Sequence, residues 1–179
     1  SGYCDMAVGI SRMLNLELPQ NFNSPYKALS PVDFWKRWHM TLTRFLRNYI
    51  YFPLGGSRKG TVRTYVNVML VFLASGLWHG ANWTFILWGL IHGAAQCLNR
   101  MFDRQWNRLH TAFRWMATFL FVNLSWVIFR ADSISQAKQF FKRLVGFENM
   151  QINPGFADSF KMVELPQVFL NHRLMTIFL

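Results

Sequence analysis

The chain has 179 residues, of which 52% are apolar and 17% aromatic against only 15% charged, and its formal net charge is +11. A water-soluble surface carries more charge than this, and two cysteines are too few for a disulfide framework. The basic excess leaves nucleic acid, an anionic membrane surface, or loops flanking membrane spans as partners. The placement of charge selects the membrane: Phe34 to Phe102 contains no acidic residue, while Lys36, Arg37, Arg44, Arg47, Arg58, Lys59, Arg63 and Arg100 stand at the edges of apolar runs. The chain opens without an initiator Met and stops within "LMTIFL", so it is expected to be a segment of a longer membrane protein. It shows no signal peptide, and Cys4 and Cys97 are expected to be small buried residues.

Residues 2–18 form an apolar-leaning segment interrupted by Asp5 and Arg12, either the end of a span or a buried helix. "PQNFNSPYKALSP" (19–31) is a loop by composition. Ser30-Pro31-Val32-Asp33 then predicts a helix start, with Ser as N-cap and Pro at the first helical position. From there Phe34, Trp35, Trp38, Leu42, Phe45, Leu46 and Tyr49 share an arc of about 120° at 100° per residue. Lys36, Arg44 and Arg47 fall opposite, which suits one helix lying at a bilayer interface, with His39 at the edge of the apolar arc. Pro53 and Gly55-Gly56 stop it, and "GGSRKG" reads as a basic turn.

Thr64 to Asn99 contains no Asp, Glu, Lys or Arg. As one helix it would run about 54 Å, well beyond the ~30 Å hydrocarbon core. Ser75-Gly76 and His79-Gly80 offer breaks near its middle, and both flanks are basic, so the run is expected to enter and return with His79 deep in the protein. Residues 115–129, between Arg114 and Arg130, form a further apolar segment. "ADSISQAKQFFKRLVGF" predicts a Ser133-capped amphipathic surface helix; residues 148–166 look like loop, and Val168–Leu179 begins another apolar segment.

A polar side chain at membrane depth is costly and marks function or a wet cavity. His79, between Trp78 and Gly80 and close to Asn82, is the leading candidate; the alternative is a histidine hydrogen-bonded to a neighbouring helix. Gly80 allows close approach of a backbone or ligand. His92 reads as a packed helix histidine, and His110 and His172 as solvated. No His pair at i, i+4 and no Cys or carboxylate cluster accompanies them, so no metal is expected. A G-x-S-x-G nucleophile and a phosphate-binding loop are likewise missing from the sequence. A neutral imidazole in a low-dielectric site remains, suited to taking a proton from an alcohol.

"FWKRWHMTLTRFLRNYIYFPLGGSRKG" and "RTYVNVMLVFLASGLWHGANWTFILWGLIHG", with "GYCDMAVGISRML" before and "FVNLSWVIFRADSISQA" after, closely resemble the membrane-bound O-acyltransferase superfamily, in its bacterial polysaccharide and alginate O-acetylase branch. The resemblance covers residues 2–145 and departs from the branch at Cys4, where Ser is usual. It implies an all-α, multi-pass transmembrane protein of the bacterial inner membrane, with interfacial helices and room for a re-entrant one. The whole of 1–179 would be the central to C-terminal part of a single domain, inactive by itself. The resemblance further implies His79 as catalytic base and His39 as second catalytic histidine, with Trp78 and Asn82 shaping the pocket and contacting substrate. No bound cofactor is implied; acetyl-CoA would be the acyl donor, and periplasmic acetyl-transfer proteins, a polysaccharide or a carrier the acceptor side, with no nucleic acid. A transporter or channel segment relaying protons through His79, a structural membrane subunit, and D-alanyl transfer to teichoic acid are the alternatives.

Overall fold

The computed structural model describes residues 2–146, with side chains from Asp5. The expected loop at 148–166, the apolar start at Val168 and His172 lie outside the described residues. The chain divides into two units, residues 1–140 and 141–179; the first holds everything below except the last turns of α8. Helices make up all the regular structure among the described residues: α1 (Gly2–Met13), α2 (Pro31–Arg37), α3 (Met40–Leu46), α4 (Thr61–His79), α5 (Trp83–Met101), α6 (Asp103–Arg108), α7 (Thr111–Arg130) and α8 (Ile134–Gly146).

The uncharged run is a helical hairpin. α4 and α5 pack along their length, joined by Gly80–Asn82. They meet through glycine: a Cβ on Gly76 would strike the Phe85 carbonyl oxygen, and one on Gly89 would strike that of Phe72. Helices can approach so closely only where side chains are absent, which is how helix pairs gain contact in lipid. α4 and α7 are each long and apolar enough to cross a membrane.

The burial pattern departs from that of a soluble bundle: beside a core of Phe34, Trp35, Val68, Phe72, Trp88 and Val122, many polar side chains are buried and many apolar ones exposed. Val62, Val66, Leu70 and Leu77 on α4, and Phe113, Met116, Leu120 and Leu124 on α7, are exposed. Asn67, Ser75, Thr84, His92, Gln96, Thr118 and Ser125 are buried. Apolar stripes turned outward with polar residues between the helices are what a bilayer solvent selects.

Those buried polar groups tie the elements together. Trp35 Nε1 donates to His92 Nδ1 (3.1 Å), and His92 Nε2 lies 2.9 Å from Ser125 Oγ, which donates to the Val122 carbonyl (2.7 Å). A Trp N–H can only donate, so His92 carries its proton on Nε2 and passes the chain of bonds from α2 through α5 to α7. His92 is the packed helix histidine the sequence suggested. Gln96 adds a second tie, donating to the Pro31 carbonyl (2.8 Å). Asn67 fixes the basic turn by donating to the carbonyls of Gly56 (2.9 Å) and Leu54 (3.3 Å).

The interfacial segment is not one helix. Its start is as expected, with Ser30 Oγ accepting from Asp33 N (3.0 Å), but α2 ends at Arg37 and α3 begins at Met40. Between them Trp38 is extended and His39 adopts φ +47, ψ +52, the left-handed region. A π-helical turn, Arg47–Tyr51, follows α3. The break rotates the two halves of the predicted arc apart. Phe34, Trp35, Leu42 and Leu46 are buried, while Phe45 and Tyr49 face outward.

The cause lies upstream, in loop 19–24. Asn23 N donates to the Arg37 carbonyl (2.9 Å), and the Asn21 carbonyl accepts from Met40 N (2.9 Å). One stretch of loop thus supplies partners that a continuous helix would have found in itself. These bonds offset the 1–2 kcal/mol or so that a left-handed non-glycine residue costs.

Candidate active site

α4 ends at His79, about 27 Å from its start at 1.5 Å per residue. The imidazole therefore stands at the hairpin tip, where the uncharged run turns back as expected, but it is half-buried and not deep in the protein. Gly80 makes the turn possible: its φ is +154, and a Cβ there would press on the Phe85 ring. Aromatic edges and faces wall the imidazole on several sides, with Trp78 at 4.9 Å between ring centroids, Phe129 at 5.0 Å, Trp88 at 5.5 Å and Phe85 at 6.2 Å. Trp88 and Phe85 come from α5 and Phe129 from α7, so three helices build the wall. Sequence reading missed these residues; each is one aromatic among many, and nothing local marks it.

No hydrogen bond engages the His79 ring nitrogens among the described residues, whereas His92 uses both of its own. An imidazole held by ring contacts but with open nitrogens is oriented without being consumed as a structural donor or acceptor. Either nitrogen is thus available to exchange a proton with a bound group.

His39 is brought close. Its ring lies 6.0 Å from that of Trp78, edge to face, and Trp78 in turn touches His79, so one indole contacts both imidazoles. His39 Nδ1 lies 3.2 Å from Asn21 Oδ1. The same oxygen accepts from Thr41 N (3.2 Å) and Thr41 Oγ1 (3.0 Å). Burial pushes the His39 pKa below its ordinary value, against a smaller upward pull from its own backbone carbonyl.

Asn82 sits at the rim with both halves of its amide engaged. Its Oδ1 accepts from Thr84 N (3.2 Å) as the N-cap of α5, and its Nδ2 donates to the Asp132 carbonyl (2.9 Å) just beyond α7. It fixes the hairpin turn against the end of α7. Trp78 is 60% exposed, which leaves one face of its indole open beside both histidines.

One turn below His79 on the same face of α4, Ser75 is buried and its hydroxyl is without a hydrogen-bond partner among the described residues. It lines a cavity of about 220 Å³ with Trp35, Leu42 and Phe72, and with Lys36, Arg47 and Arg100 as its charged lining.

The chain is 49% identical over 156 residues to a peptidoglycan O-acetyltransferase of Helicobacter pylori, covering 85% of this chain and 30% of that protein. It is 42% identical over 154 residues to a probable alginate O-acetylase AlgI of Pseudomonas putida, covering 86% of this chain and 32% of that one. A teichoic acid D-alanyltransferase of Bacillus subtilis is 31% identical over 145 residues, 72% of this chain and 36% of its own length. The chain thus spans about a third of the length of the curated relatives it matches. Residues 1–135 match the model of the MBOAT, or membrane-bound O-acyltransferase, family, and with the identities above this establishes that the chain belongs to that family.

Proposed function

We propose that this chain carries the histidine centre of a multi-pass inner-membrane acetyltransferase, which moves an acetyl group from a thioester, acetyl-CoA, toward the hydroxyls of an extracytoplasmic glycan or of a carrier protein that serves it. The observation that carries the reading is the His79 imidazole, fixed edge-on by aromatic rings at the end of α4 with its nitrogens unengaged among the described residues. His79 takes the proton of the attacking hydroxyl as the new ester C–O bond forms. The thioester C–S bond breaks, and the proton passes to the departing thiolate. A base so placed contributes roughly 10²–10⁴ in rate. His39 assists from across Trp78, which with Asn82 shapes the pocket and bounds the substrate. An anionic donor is matched by the Lys36, Arg47 and Arg100 side chains of the neighbouring cavity.

The names of the relatives support a polysaccharide-type acceptor, peptidoglycan and alginate both being glycans. Periplasmic acetyl-transfer proteins are the proposed partners that complete delivery, and the remaining two thirds of the protein supplies the rest of the passage. The test is complementation with the full-length gene and its His79→Ala variant, reading polymer-bound acetyl and D-alanyl groups by NMR. Acetyl lost in the variant while the protein still reaches the membrane supports the reading. Acetylation retained in the variant ends it, and D-alanyl in place of acetyl moves the donor to the teichoic acid type.

A further inference from the structure

Asn21 lies in the loop before α2, far from His39 in sequence, yet three groups converge on its side-chain oxygen: His39 Nδ1 (3.2 Å), Thr41 N (3.2 Å) and Thr41 Oγ1 (3.0 Å). The convergence has a chemical consequence. A backbone N–H can only donate, so the Asn21 atom facing Thr41 N is the carbonyl oxygen and not the amide nitrogen. An amide oxygen can only accept. The imidazole nitrogen that meets it must therefore carry the proton.

We infer that Asn21 is a positioning residue, which holds His39 as the Nδ1–H tautomer and so leaves Nε2 with its lone pair. The inference rests on the acyl-transfer reading for what that lone pair does, and on the geometry alone for where the proton sits. It narrows the role of His39. A neutral imidazole with a bare Nε2 cannot polarise a thioester carbonyl from that nitrogen, because it has no proton there to donate. It can accept one, from an acceptor hydroxyl or from a protonated His79. No second residue hydrogen-bonds Nε2 among the described residues, so the lone pair is open. The backbone conforms to the same end: φ +47 at His39 turns the ring out of helical register, and the Asn21 main-chain carbonyl, bonded to Met40 N (2.9 Å), anchors the residue that fixes it. The other neighbours are the Phe22 ring at 6.2 Å and the Trp78 ring at 6.0 Å, and Trp78 also contacts His79, the titratable group on the far side of that contact.

A simple cap for α3 would use Asn21 in the same way, so the test must read the proton and not only the fold. Full-length protein labelled with ¹⁵N-histidine and held in lipid nanodiscs reports which imidazole nitrogen is protonated, with His39 assigned from its loss in His39→Gln. At pH 8 the expected result is Nδ1–H with a bare Nε2. A His39 signal showing Nε2–H overturns the inference whatever the activity assay gives. The second arm is Asn21→Asp, which keeps every acceptor that caps α3 but adds a charge. It should move the acid limb of the acetyl-transfer pH profile upward by about one pH unit or more, and Asn21→Ala should lower kcat by about 10–100-fold, the range for an orienting partner. An Asn21→Asp enzyme that is folded and active with an unshifted limb assigns Asn21 to capping alone. Should His79→Ala keep full acetylation, the functional reading fails while the labelled spectrum still decides the tautomer.

Discussion

Trp35 Nε1 donates to His92 Nδ1 across 3.1 Å in the buried centre of the first unit, and that one bond decides the protonation of everything beyond it. Because His92 Nδ1 accepts, Nε2 must donate to Ser125, and the Ser125 hydroxyl is then free to donate to the Val122 carbonyl. The interfacial helix, the hairpin and α7 are locked by a chain with one consistent direction. This lock sets α5 and α7 against each other, and those two helices carry Trp88 and Phe129 to His79.

Removing the indole N–H while keeping an aromatic ring tests the lock. Trp35→Phe leaves a buried acceptor without a partner, which costs about 1–3 kcal/mol. The unfolding midpoint of the full-length protein in detergent should fall, and acetylation should fall at least as far as the amount folded, since Trp35 also lines the cavity below His79. Ser125→Ala breaks the same chain from the other end. The double variant should lose less than the two losses added, since groups in one network couple by about 0.5–3 kcal/mol.

Gly76 and Gly89 face each other across the hairpin with no room for a methyl group, because each would meet the backbone of the opposite helix. Backbone cannot step aside as a side chain can. Gly76→Ala and Gly89→Ala should each destabilise by about 1–3 kcal/mol or more. Gly9, in α1, has nothing within 4 Å of its missing Cβ. Gly9→Ala should therefore stabilise by about 0.5–1 kcal/mol. Thermal unfolding of the three variants side by side checks the contrast.

What the sequence disclosed follows from how local each signal was. Ser30-Pro31-Val32-Asp33 announces α2 because the cap is made within four residues, and Ser133 caps α8 in the same way, accepting from Gln136 N (3.2 Å). The return of the uncharged run near His79-Gly80 follows from length and glycine alone. The break at Trp38-His39 was illegible from its own residues, whose apolar spacing is helical throughout. It is imposed by Asn21 and Asn23, which look like ordinary loop residues until they meet the ends of α2 and α3. The wall around His79 was hidden for a related reason: Phe85, Trp88 and Phe129 share no spacing with His79 and meet it only through the packing of α4, α5 and α7.

Asn82 separates two roles that a single alanine variant would confuse. Its oxygen caps α5 and its nitrogen reaches the Asp132 carbonyl. Asn82→Ala should lower stability by about 0.5–2 kcal/mol, as the loss of an N-cap does. Asn82→Asp keeps the cap and loses the amide, so it should recover most of that stability while KM rises, as the proposed substrate contact requires. A wild-type KM in Asn82→Asp confines the amide to its part in the turn.

His39 supplies the pH prediction, and its sign follows from burial. Burial lowers the pKa, so the folded protein resists the proton more than the unfolded chain does. As pH falls through the ordinary histidine value near 6.5, the unfolded chain binds the proton first and the fold loses stability. The contribution is whole above that value and drains away below it. On the acyl-transfer reading a neutral His39 is also the form with a lone pair to offer, so the midpoint of the acid limb of acetyl transfer should lie below about pH 6.5, the ordinary histidine value. Replacing the ring in His39→Gln should remove this step from the stability–pH curve and cut the rate at every pH. Unfolding midpoints and initial rates of the full-length protein across pH 5–8 measure both. A wild-type rate already halved at pH 7 would mean that the imidazole is held charged, the reverse of what its burial beside Trp78 and Asn21 requires.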